Sequence, residues 1–397
     1  MAETNDSPRL AGETGGARPR RLVAGNTVFF PAAAAYAIFV LPASVLALTG
    51  MTSAFPALAF ATGHAHEMLF GFALAVVAGN QLGPIAPRRL VLLLGLWVLA
   101  RATFLSAPQS IAASAANVAF AALLGAHLAP RLFGAAKKLR NQALPLVLTA
   151  ICVSAIALQI APHAGFASAE HNLLTVAILL FALLMLFMGG RLIAPAVAGQ
   201  FYRQGDNLEA RVQPRIESGL IAAMAVAIAA SVCIGKPAFV TVAAVATALA
   251  GVLAAVRLLR WRLWALRGRP DLLCLAAGYG WLALGLLLVA SALATGHHQT
   301  AALHVITVGS LGTLTLNVMA MTWALKARQD PARARLPVWG TILVAAATLA
   351  RVPAGFGVYD PRTLLLVASL CWSGAFALLL VLFARVRAPV YPAQRGT

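Results

Sequence analysis

Within Gly63–Gly71 (GHAHEMLFG) the chain sets two imidazoles and a carboxylate side by side: His64, His66 and Glu67. Imidazole nitrogen ligates iron and copper. A neighbouring carboxylate can accept an imidazole N–H, fixing which nitrogen ligates, or it can carry a proton. On a regular helix His64, Glu67 and Met68 share one face, continued by Gly71, Ala75 and Gly79, whereas His66 falls on a face with Phe70, Ala73 and Val77. At about 100° per residue the two rings stand roughly 160° apart. Either they serve two sites, or the first turn is unwound.

The elements that hold this stretch belong to a membrane protein. Of 397 residues, 61% are hydrophobic and only 10% charged, with a mean hydropathy of +0.86, which excludes an ordinary globular domain. Apolar runs of about 20 residues divide residues 25–386 into twelve predicted transmembrane helices, an all-α polytopic bundle. Span two covers 64–86, span three 89–106, span six 171–190, span ten 300–325 and span eleven 336–353. With the N-terminus inside, all of the 30 Lys and Arg residues except Arg101, Lys236, Arg351 and Arg362 fall on cytoplasmic segments, as the positive-inside rule requires. A span missed in mid-chain would move every later loop to the wrong side. The net charge of +19 therefore reads as orientation and contact with anionic lipid, not as nucleic-acid binding. Residues 1–24, rich in Gly and Arg, read as a disordered cytoplasmic tail, and 387–397 as a second cytoplasmic tail.

Histidines collect at the opposite, outer end, His127 alone lying toward the cytoplasm. Spans two, six and ten open with His64/His66, His171 and His304, a recurrence every four helices that predicts three four-helix units. His163, His297 and His298 fall in loops and read as solvated. Cys152, Cys233, Cys274 and Cys371 are isolated within spans and form no disulfide framework. The run RLLRWRLWALRGR at 257–269 reads as an interfacial anchor, and MGGRLIAPAVAG, closing span six, as a site of close helix packing. Glu67, about a turn into its span, must be protonated, paired or hydrogen-bonded. A secondary transporter with discontinuous helices would share this composition. Its polar residues would lie at the midplane, whereas these cluster toward the outer face.

Three arcs of four helices with histidines entering from one end resemble the haem-copper oxidase superfamily, although span seven lacks a histidine pair and span six a Tyr-containing motif. The resemblance to the NnrS family is closer. It is carried by HAHEMLFGFALAVVAG, FMGGRLI and LHVITVGSLGTLTLNVMAMT, in matching order over essentially the whole chain. After MAMT, the Arg and the Gly-His-Thr-Gly-Arg run usual in that family are replaced here by WALKARQDPARAR.

The NnrS resemblance implies a bacterial inner-membrane protein containing haem b and copper and linked to denitrification and nitric-oxide stress. Its ligand would be NO or a related small molecule, its electron donor is unassigned, and a redox role in handling NO is expected without distinguishing turnover from binding. Two axial bonds to a haem iron need nitrogens on opposite sides of the ring, so one histidine of span two and His304 are the expected haem ligands. His64 is favoured over His66 by its stripe of small residues. His66 then faces a second site, copper together with His171, and Glu67 accepts the N–H of a ligating imidazole.

Overall fold

The computed structural model describes residues 22–135, 139–166, 169–233, 236–356 and 360–386. Of the two expected tails, only residues 22–24 lie among them. Val23 and Ala24 are ordered there, pairing as a two-residue antiparallel ladder with Ile85 and Pro84, while Gly25 N–H donates to Gly83 O at 2.9 Å.

All other regular structure is helical: α1 Asn26–Leu48, α2 Ala61–His66, α3 Leu74–Gln81, α4 Pro87–Ser106, α5 Ile111–Ala135, α6 Leu139–Ile160, α7 Glu170–Arg203, α8 Pro214–Val232, α9 Pro237–Arg260, α10 Pro270–Thr295, α11 Gln299–His304, α12 Leu311–Lys326, α13 Arg335–Ala354 and α14 Pro361–Arg385, with short 3-10 turns between them. Five of these helices begin on proline, whose missing N–H and fixed φ suit the first helical position. At α14 the Asp360 side chain also caps the helix, accepting from Thr363 N–H at 3.1 Å and Thr363 Oγ1–H at 2.6 Å.

Eleven helices among the described residues are long and apolar enough to cross a membrane, the unit Gln299–Lys326 counting as one. A twelfth continuous helical segment runs from Ala61 to Gln81 through α2, a π turn at Glu67–Ala73 and α3. The unit Gln299–Lys326 is built alike, with a π turn at Val305–Ser310 between α11 and α12. Successive spans pack side by side, and α14 returns to lie against α1. Spans two, six and ten (α2–α3, α7 and α11–α12) touch one another at the centre. Their position shows in their burial: 78% of the apolar window of α7 and 67% of that of Gln299–Lys326 is buried, against at most 56% in the other nine. Outward-facing apolar residues such as Val91, Val98, Leu249 and Leu370 present the surface that lipid requires.

Two local readings of the sequence resolve at the basic end. Trp261 does not face outward: the chain leaves α9 through a left-handed turn at Arg262 (φ 51°), and Trp261 is fully buried against Tyr279, ring centroids 5.0 Å apart, while Trp264 of the same run is exposed. Of the glycines closing span six, Gly189 and Gly190 serve close packing and Gly199 does not. A Cβ on Gly190 would stand 2.0 Å from Arg257 Nη2, and the space without one lets Arg257 donate to Leu186 O (3.0 Å) and Glu217 Oε1 (2.5 Å). All four cysteines are free.

Candidate functional site

Each of the two π turns begins just after a histidine, at Glu67 following His66 and at Val305 following His304. A π turn lengthens the backbone hydrogen bond to i→i+5 and adds a residue to the turn, a device common at functional sites. It also rotates everything beyond it. The face expected to run from His64 through Gly71 and Gly79 is therefore broken. A Cβ on Gly71 would meet Tyr36 Cε1 at 2.8 Å and Arg101 Nη1 at 2.9 Å, and one on Gly79 would meet Phe30 at 2.6 Å. These glycines give room to span one and to Arg101, not to a ring beside His64.

His64 nevertheless faces open space. It lines a cavity with His171 and His304, so the first histidine-bearing turns of spans two, six and ten meet at one chamber. The cavity volume is about 250 Å³, far more than the ~10–15 Å³ that one water needs, so it is not sized for a single ion. Its loop end carries Thr300 and Arg351; its floor is apolar, with Met68, Ile178, Leu311 and Trp372. His304 Nδ1–H donates to Thr300 O at 2.6 Å, which leaves the Nε2 lone pair free to ligate. His64 Nδ1 is buried and has no hydrogen-bond partner. An orphaned imidazole nitrogen and a tautomer-locked one in the same apolar chamber fit the axial ligands of a haem.

His66 turns away into a different environment. Gln159 Nε2 donates to its Nε2 at 2.7 Å, and its Nδ1–H donates to Glu67 Oε1 at 2.9 Å. Its ring stacks on Phe104, centroids 4.0 Å apart. With both nitrogens engaged, His66 has no lone pair left for a metal. Glu67, fully buried, also accepts from Arg101 Nη1 at 2.6 Å and from the Tyr36 hydroxyl, and Arg101 continues to Asn117 Oδ1. Trp97 Nε1–H closes the cluster on Gly71 O at 2.9 Å, a carbonyl within the π turn. This is a structural ion-pair network that ties spans one, two, three, four and five together.

The expected sites are thus redistributed. His64 and His304 share a cavity, and His171, exposed at its edge, joins them instead of pairing with His66. Glu67 does accept an imidazole N–H, that of His66. His66 and His171 line different cavities, His66 beside Phe104 and Gln159 and His171 beside His64 and His304, and among the described residues no three His, Cys, Asp or Glu side chains stand together as a metal site. The space beside Gly309 and Gly312 is filled by Trp281 and Trp372. Reading the sequence missed Tyr36, Asn117, Gln159, Arg101 and Arg351 as members of these clusters. For the two arginines a signal existed: both lie inside predicted spans on the side where basic residues are scarce. An intramembrane Arg costs about 2.5–3.5 kcal/mol on insertion scales, so each needs a reason.

The family model described as NnrS protein matches residues 22–388. No curated protein matches the chain.

Proposed function

The chain belongs to the NnrS family, and from that premise we propose that it is a haem-binding protein of the bacterial inner membrane that handles nitric oxide or the damage NO causes. His64 and His304 would hold haem b, and the histidine end faces the periplasm with both termini in the cytoplasm. The observation that carries the reading is the chamber shared by His64, His171 and His304, with His304 Nδ1–H committed to Thr300 O. When bound, the haem would supply an iron centre that can pass an electron, or take up NO in place of one of the two histidines. The chain's own residues do the rest. Thr300 holds the His304 ring in one tautomer, Met68, Ile178, Leu311 and Trp372 exclude water from the floor, and His171 offers an exposed imidazole at the mouth for a proton or a small polar ligand. The Glu67–Arg101 network supports the turn that carries His64 without touching the cavity. Copper has no ligand set in this proposal.

The test is the absorption spectrum of the purified full-length chain. A Soret band and a pyridine haemochrome equivalent to one b-type haem per chain, with a spectral shift on adding NO, is the expected result. A colourless preparation that takes up no haem overturns the reading and leaves the secondary transporter as its replacement.

A further inference from the structure

Arg101, Arg257 and Arg351 each lie on a membrane-crossing helix and point into the bundle or its cavity, and they differ in one respect. Arg101 pairs with Glu67 at 2.6 Å and Arg257 with Glu217 at 2.5 Å. Arg351, in the last turn of α13, lines the histidine chamber and has neither a hydrogen bond nor a carboxylate partner among the described residues. None of the described side chains lining that chamber is acidic. Nearby carboxylates are committed elsewhere: Asp360 caps α14 through Thr363, Glu170 lines the separate cavity beside His66, and Glu67 is closed in its own network. The C-terminal turn of α13 offers Arg351 some partial negative charge. That attraction does not replace a counter-ion in surroundings as apolar as these.

We propose that Arg351 is the anchor for a carboxylate of the molecule that fills the chamber, and on the reading that this molecule is haem, for one of its propionate side chains. A guanidinium presents a planar fork of donors that matches a carboxylate. Its position fits an amphipathic occupant: Arg351 and Thr300 stand at the loop end, while Leu311 and Trp372 form the apolar floor. The occupant's charge is then set toward the aqueous end and its ring toward the floor. Arg351 is a binding and orienting residue in this account.

The test uses the full-length chain in detergent, expressed under haem limitation and titrated with protohaem or with its dimethyl ester, whose carboxylates are uncharged. Wild type is expected to bind protohaem more tightly than the ester by about tenfold or more, the size of one charge-assisted hydrogen bond. Arg351→Gln is expected to lose that preference while binding the ester as wild type does, and Arg351→Lys to keep part of it. Ester binding unchanged in Arg351→Gln also shows that the variant is folded. Equal affinity of wild type for acid and ester overturns the anchor while leaving haem in the chamber. Equal weakening of both ligands in both variants overturns it as well, since Arg351 would then be structural. If wild type binds neither ligand, the haem reading itself fails and the anchor falls with it.

Discussion

Arg101 Nη1 stands 2.6 Å from Glu67 Oε1, with the two side chains 5% and 0% exposed. The two residues come from adjacent spans, and each is the main charge partner of the other. A buried pair of this kind contributes little over an apolar replacement, but breaking it by removing one member costs about 3–5 kcal/mol because the survivor is left charged and dry.

Glu67→Gln and Arg101→Gln should therefore each lower the melting temperature sharply, and the double variant should be no less stable than the worse single one. A double-mutant cycle by thermal unfolding in detergent measures the coupling. Strictly additive losses would mean that the two residues do not act as a pair.

Gly71 and Gly95 offer a paired control on the same region. Alanine at Gly71 would push a Cβ to 2.8 Å from Tyr36, 2.9 Å from Arg101 and 3.0 Å from Glu67, an overpacking that costs about 1–3 kcal/mol. Gly95, on the outward face of α4, has nothing within 4 Å, and alanine there should be neutral or stabilising by up to about 1 kcal/mol. Equal melting temperatures for the two variants would show that the Tyr36–Glu67–Arg101 cluster yields without cost.

The division into spans was legible because hydropathy and the placement of basic residues are properties of each segment by itself. The recurrence of histidines every four helices points to spans two, six and ten, yet it pairs His171 with His66, whereas His171 lines the chamber of His64 and His304. The partners of the two span-two side chains that mattered most were not legible. A period of 3.6 residues placed Glu67 with His64, and the π turns, which have no periodic signature, break that face. The partner of Glu67 lies 34 residues away in the neighbouring span, a distance over which no spacing rule operates. Arg351 could have been flagged as an arginine inside a predicted span, yet only the folded chain shows that it shares a chamber with the histidines. Likewise only the folded chain shows Asn317 of span ten donating to Thr341 Oγ1 of span eleven at 2.8 Å.

Orientation in the membrane rests on charge alone and is tested directly. Reporters fused after Arg269 should be active in the cytoplasm, and one fused at Gly296 should be active in the periplasm, since α10 separates the two positions and basic residues crowd the first. Reversed signals would place the histidine chamber on the cytoplasmic side and remove the periplasmic entry for NO.

The histidines can be told apart by their nitrogens. His64 keeps a buried Nδ1 without a partner, and His304 has an Nε2 left free by the bond from its Nδ1–H to Thr300 O, whereas both nitrogens of His66 are taken by Gln159 and Glu67. His64→Ala and His304→Ala should each abolish or strongly shift the Soret band. His66→Ala should retain haem and instead lower stability by about 1–3 kcal/mol, because Glu67 and Gln159 each lose a buried hydrogen bond. His171, exposed at the chamber's edge, should when changed to Ala keep the haem and alter the response to added NO. Spectra and melting curves recorded on the same four preparations separate ligation from folding. Loss of haem from His66→Ala with a native spectrum in His64→Ala would reverse the assignment of the two span-two histidines. An unchanged spectrum in His304→Ala would sink ligation across spans two and ten altogether.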